Sequence, residues 1–266
     1  MQSKIPEKEI IECSKNIVAL APMLIFDLAE KADKSKDFYL RNCIAKASSL
    51  LDSILSLYQK EYYDNALILY RSLLDRLVHV YYLSKNDLFQ EFKFETLIAN
   101  FEHVNNARSD QSLEGILEDP LFQISKEERK KYRKYKQNSE GWNKPDPKTV
   151  LKENDLGFLY KFGYDYASRR VHPTYFDGYS EFHTLTKLEP NPYDKFEDQT
   201  IINNSVLITS VLIPECLTNS NFGFRRVVFD YFKSIHNLLH GKGDKDYRKR
   251  FAKIAKLFKQ EVSLSK

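Results

Sequence analysis

The chain has 266 residues, of which 42% are hydrophobic, 14% aromatic and 29% charged, a balance that excludes a disordered polypeptide. Only 8 Gly and 9 Pro occur in that length, too few turn formers for a sandwich or barrel, so an all-α fold is expected. The net charge of +4 excludes no class of partner until its distribution along the chain is read.

Residues 7–31 carry apolar side chains at helical spacing, and residues 36–60 do so again, from Phe38 through Ile44, Leu50, Leu51, Ile54 and Leu55 to Tyr58. Two long antiparallel helices are expected there. A third is expected over 62–84 and a fourth over 87–108. SDQSLEGILEDPLF then reads as a loop with a short turn, and 125–137 as an exposed basic helix. NSEGWNKPDP gathers turn formers around the single tryptophan, Trp142, and Pro147 opens a short helix over 147–154. Gly157 precedes the helix that carries YDYASRRVHP at 164–173, which Pro173 discourages from continuing past Arg170 or Val171. Residues 174–196, rich in Pro, Tyr and Asp, are expected to form a surface loop. Helices over 198–218, 222–239 and 244–262 follow, so that 197–266 forms a C-terminal helical extension of a single bundle spanning 1–266.

Three cysteines, Cys13, Cys43 and Cys216, stand far apart with no CxxC pair, which points to buried apolar residues rather than a disulfide framework or a zinc site. No metal and no cofactor is expected. The N-terminal MQSKIPEKEIIE is too polar for a signal peptide, and no apolar run reaches the roughly 18 residues of a spanning helix. The longest, IVALAPMLIF at 17–26, is interrupted by Pro22. A cytoplasmic protein without a membrane partner is expected.

The positive charge is concentrated. KEERKKYRKYK at 126–136 carries +5 and KGDKDYRKRFAKIAKLFK at 242–259 carries +6, leaving −7 for the remainder. Cations with interleaved tyrosines suit a phosphate backbone and stacked bases, which makes Arg129, Lys130, Lys131, Arg133 and Lys134 candidate nucleic-acid contacts. A solvated helix face accounts for the same pattern.

Two polar stripes interrupt the apolar periodicity. Tyr160, Tyr164, Ser168 and His172 recur at steps of four, where a core-facing stripe would carry Leu, Ile or Val. Each polar tip, if buried without a partner, costs roughly 1–3 kcal/mol. The third helix supplies a counterpart, because Arg71, Asp75 and His79 also recur at steps of four among Leu67, Leu69, Leu73, Leu74, Leu77 and Val78. An internal Arg and Asp must be paired. One reading is a salt bridge that fixes helix register; the other brings Arg71 and Asp75 to Ser168 and His172 on a facing helix. His172 itself reads as a cap on helix carbonyls near Pro173 or as a functional imidazole.

LYRSLLDRLVHVYYL at 69–83, GW at 141–142 and LYKFGYDYASRRVHP at 159–173 together resemble a bacterial family of helical proteins of unknown function. Its pattern is an Arg followed four positions later by an acid, an aromatic-rich turn, and Tyr-x3-Ser-x3-His. Arg71, Asp75, Trp142, Tyr164, Ser168 and His172 match it, with Asp75 where Glu is more usual, and the resemblance covers 36–190. More remotely, the layout is similar to the HEPN superfamily of helical bundles, which includes metal-independent ribonucleases of toxin and phage-defence systems. Those enzymes carry Arg-x(4–6)-His, usually paired across a dimer. Here Arg169 and Arg170 lie too close before His172, and Arg71 lies one residue too far before His79.

The resemblance implies a metal-independent endoribonuclease with RNA as substrate and a homodimer or another protein as partner. Such chemistry needs a base near neutral pH and a cation for developing phosphorane charge. His172 is the candidate base, Arg169 or Arg71 the phosphate cation, Asp75 its orienting acid, and Ser168 or Tyr164 a hydrogen-bond donor. The alternative is a non-enzymatic helical module that binds a protein or small ligand, its polar stripes forming a buried network.

Overall fold

Helix α1, Glu7–Ala29, forms because Ile10, Cys13, Ile17, Leu20, Ala21, Leu24 and Leu28 fall at steps of three and four, and all are buried. The coordinates are a computed structural model, which describes residues 5–29, 35–109, 125–138, 142–169, 175, 178–186, 199–220, 222–223, 225–242 and 246–264. Among these residues every regular element is helical.

The same periodicity buries Leu40, Ile44, Ala47, Leu51 and Ile54 of α2, Ser35–Tyr58. Helix α3 runs Tyr63–Asn86 and α4 runs Phe89–Ser109, followed by α5, Lys126–Asn138, and α6, Pro147–Glu153. The described residues of 1–82 and 145–266 form one compact unit, and those of 83–144 a second.

In the first unit α1 packs on α2, α10 (Gln199–Thr218) and α12 (Tyr247–Leu264). α10 also packs on α2 and on α11, Arg225–Leu239, which in turn packs on α12. Each fully buried Leu, Ile or Val here contributes roughly 1.5–3 kcal/mol of transfer free energy. Cys13, Cys43 and Cys216 are buried free thiols in this core. Burial pushes Cys13 up to about 12, which keeps it a thiol.

Helix ends follow the local chemistry. Asp146 accepts from the Thr149 backbone N–H at 3.0 Å while Pro147 occupies the first helical position of α6. Beyond the end of α11, Gly241 takes a φ of +69°, which lets the Lys242 N–H reach the Asn237 carbonyl at 2.9 Å.

Two features depart from the sequence reading. Residues 179–186, within the expected loop, form helix α9, Tyr179–Thr186; the prolines that suggested a loop all lie outside this segment. The second departure is α10, whose 18-residue window has a mean hydropathy of 1.4 and is by length and composition apolar enough to cross a membrane, although the sequence reading assigned no such segment. Its uncharged Asn, Ser and Thr residues interrupt the apolar run without adding charge. In the structure 61% of that window is buried, Ile202, Val206, Leu212 and Ile213 completely, as in the central helix of a bundle.

An ion pair ties α12 back to α1. Arg248 donates from Nε and NH2 to the two carboxylate oxygens of Glu12, both at 2.6 Å. That hydrogen bond, chiefly, holds the Glu12 carboxyl below its usual range. A depressed folded-state value means that the pair stabilises the fold above the unfolded value of 4.5 and stops doing so as pH falls through the lower folded value. Replacing Arg248 by Gln should therefore flatten the loss of melting temperature on acidification below about pH 4.5. Thermal melts from about pH 3 to pH 7 check this, and parallel wild-type and variant curves would contradict it.

Candidate functional site

The motif helix is not uniformly α-helical. It starts as α7, Gly157–Leu159, widens into a π-helical turn over Tyr160–Asp165, and resumes as α8, Tyr166–Arg169. Single π turns of this kind recur at functional sites. At its centre Gly163 is buried against Tyr70 of α3: an added Cβ would stand 2.3 Å from the Tyr70 Oη and 2.5 Å from its Cε1. Tyr70 is itself only 2% exposed, so the ring has little room to withdraw.

Arg71, the next residue on α3, makes the polar contacts. Its NH1 donates to Ser168 Oγ at 2.5 Å and its NH2 to the Tyr164 hydroxyl at 2.8 Å. The guanidinium also lies over the Tyr164 ring, 4.3 Å from its centroid, and Tyr164 stacks on Tyr160 with centroids 5.5 Å apart. Ser168 in turn donates to the Tyr164 carbonyl at 2.5 Å. Its one proton is thereby committed to the backbone and its oxygen to Arg71, so Ser168 is a positioning group here and not a nucleophile.

Asp75, one turn along α3, holds its Oδ2 3.9 Å from Arg71 Nε. The side chains are 23% exposed for Arg71 and 39% for Asp75, so the cluster is open to solvent on one side. His79 places Nδ1 2.8 Å from the Asp75 backbone oxygen. Around the stripe, Leu67, Leu73, Leu74, Leu77 and Val78 are buried, as the sequence pattern required.

The structure thus brings Arg71, Asp75, Tyr164 and Ser168 together. His172 and the Arg169 side chain lie outside the described residues. Chemically, the Tyr164 hydroxyl accepts from Arg71 and keeps its own proton to donate. Among the described residues, two of the five guanidinium N–H donors are hydrogen-bonded. A cation with donors in reserve beside a hydroxyl is an arrangement suited to an oxyanion.

In the second unit, α4 and α5 are joined by aromatic pairs. Phe94 stacks on Tyr135 at 4.9 Å, Phe101 on Tyr132 at 3.9 Å, and Phe92 meets Trp142 at 4.6 Å. Tyr132 further donates to Glu102 at 3.1 Å. Phe101 and Phe94 of α4 take one face of each of these tyrosine rings, which stay half-buried. Arg129, Lys130, Lys131, Arg133 and Lys134 are all exposed.

A family model described as a family of unknown function, DUF5677, matches residues 37–187, more than half of the chain. The chain belongs to that family. No curated protein and no solved structure matches it. The DUF5677 match contains Arg71, Asp75, Trp142, Tyr164 and Ser168, so the polar cluster and the aromatic pairs both lie inside the family's region. Among the described residues of this DUF5677 chain, no three His, Cys, Asp or Glu side chains gather to hold a metal. The sequence reading missed the contact between Tyr70 and Gly163; its one visible signal was a lone glycine inside an otherwise helical pattern.

Proposed function

We propose that the protein is a cytoplasmic, metal-independent endoribonuclease of HEPN-like type, acting in phage defence or a toxin-like system as a homodimer. The observation that supports this reading is the Arg71 guanidinium, held by Ser168 and Tyr164 in a solvent-open cluster and, among the described residues, with donors in reserve. His172 follows Ser168 by four residues in sequence. Its imidazole takes the proton of an RNA 2′-hydroxyl, and the resulting oxygen attacks the adjacent phosphorus. The bond from phosphorus to the 5′-oxygen breaks, a proton returns to that leaving oxygen, and the products are a 2′,3′-cyclic phosphate and a 5′-hydroxyl. Arg71, with Arg169, faces the developing phosphorane charge, Tyr164 donates its proton to a phosphate oxygen, and Asp75 orients Arg71. The exposed cations of α5 draw RNA to the protein by counterion release, independently of sequence.

Incubating the purified protein with total RNA in EDTA should yield fragments ending in 2′,3′-cyclic phosphate. His172→Ala should reduce their formation by about 100-fold or more, the range for a lost general base. RNA left equally intact by wild type and variant defeats the nuclease reading. A second reading, a non-enzymatic binding module, is favoured by the closed chain Arg71, Ser168, Tyr164 carbonyl, which is complete without a ligand.

A further inference from the structure

Between α10 and α11 lies a cleft of about 480 Å³, within the roughly 300–1,000 Å³ of small-molecule sites. It is far in sequence from Arg71, and none of its lining residues belongs to the polar cluster. Its lining combines two chemistries. Val211, Pro214 and Phe229 are apolar, while Lys233, His236, His240 and Lys242 are basic. The Gly241 turn holds the Lys242 backbone at the cleft, with its side chain exposed.

One group in this cleft lacks a partner. The His236 Nε2 is buried and has no hydrogen bond, so it gains a partner only if the ring turns toward the cleft. Burial, and then the neighbouring His240, hold the His236 imidazole below its usual range. It is therefore a neutral ring at pH 7, and in the Nε2–H tautomer it donates to an incoming acceptor. Among the described residues, the one carboxylate of the lining, Glu215, already accepts from Asn219 Nδ2 at 2.8 Å, and burial pushes its carboxyl upward. The lining as a whole therefore favours an anion.

We propose that this cleft binds an organic monophosphate with a flat ring, of the nucleoside monophosphate class. The phosphate meets Lys233, Lys242 and, once the imidazole turns outward, the His236 Nε2–H, and the ring lies on Phe229 and Pro214. Two ammonium groups and a neutral donor suit a small dianion, whereas a bulky polyanion would outrun the cations present. The apolar wall gives the ring an area that inorganic phosphate cannot use. This inference does not rest on the nuclease reading.

The test is calorimetric titration of the whole chain with AMP and, separately, with inorganic phosphate. AMP should bind saturably, with a dissociation constant below about 1 mM, and inorganic phosphate more weakly. Lys233→Ala, at an exposed position that leaves the fold intact, and His236→Gln should each weaken AMP by about 10-fold, while Phe229→Leu should weaken AMP and leave inorganic phosphate unchanged. Absence of saturation with AMP up to about 5 mM overturns the proposal. So does an AMP affinity that neither Lys233→Ala nor His236→Gln changes, and inorganic phosphate binding as tightly as AMP overturns the ring-bearing class.

Discussion

Gly163→Ala is expected to lower the melting temperature by about 4–8 °C, from a loss of about 2 kcal/mol in a unit of this size. The added methyl would fall 2.3 Å from the Tyr70 hydroxyl oxygen and 2.5 Å from a ring carbon, distances that force one helix to move. In an ordinary exposed helix the same change would stabilise by about 1 kcal/mol, because Ala loses less backbone entropy than Gly. The sign therefore reports whether the close approach exists. Tyr70→Leu provides the control: it removes the obstructing ring, so Gly163→Ala introduced into that background should lose much of its cost. Additive effects of the two substitutions, measured by thermal or urea unfolding, would mean that the helices do not meet at this point.

Arg71→Ala is expected to cost about 2 kcal/mol, since it strips a charged donor from Ser168 and from Tyr164 and leaves Asp75 without its cation. Arg71→Lys keeps the charge but replaces a planar fork with a single ammonium, which cannot serve both acceptors in the same geometry. It should recover only part of the stability. On the nuclease reading, both substitutions also lower cleavage by about 100-fold, the effect of removing one transition-state donor. Stability and cleavage then separate the two readings. If Arg71→Ala melts early and the wild type cuts no RNA, the network is structural; if Arg71→Lys matches wild type in melting and in cleavage, the fork has no role.

The polar pairing was legible because two step-four stripes, each out of place in an apolar helix, can answer one another across facing helices. Arg71 meeting Ser168 and Tyr164 follows from that logic. The π-helical turn did not follow, because it depends on how Gly163 fits against a residue 93 positions earlier, which no local propensity encodes. The helical course of the chain was likewise legible from periodicity and from turn formers such as Pro147. Helix α9 was not, since flanking prolines dominated the composition of its segment. The tyrosines of α5 show the limit of reading a charge run alone. Tyr132 and Tyr135 share a sequence pattern with base-stacking platforms, and the pattern does not encode that Phe101 and Phe94 of α4 take one face of each ring.

The contacts that define the first unit join residues separated by 93 and 97 positions at Arg71, and by 236 positions between Glu12 and Arg248. On a ribosome adding roughly 5–20 residues per second, the partners of Arg71 emerge roughly 5–20 s after it does. During that interval Tyr70 has no Gly163 to pack against and α1 has no α12. The 83–144 unit, contiguous in sequence, is complete before the other can close. Nascent α1 and α2 can cover one another early, while the faces they turn to α10 and α12 stay exposed until those helices emerge.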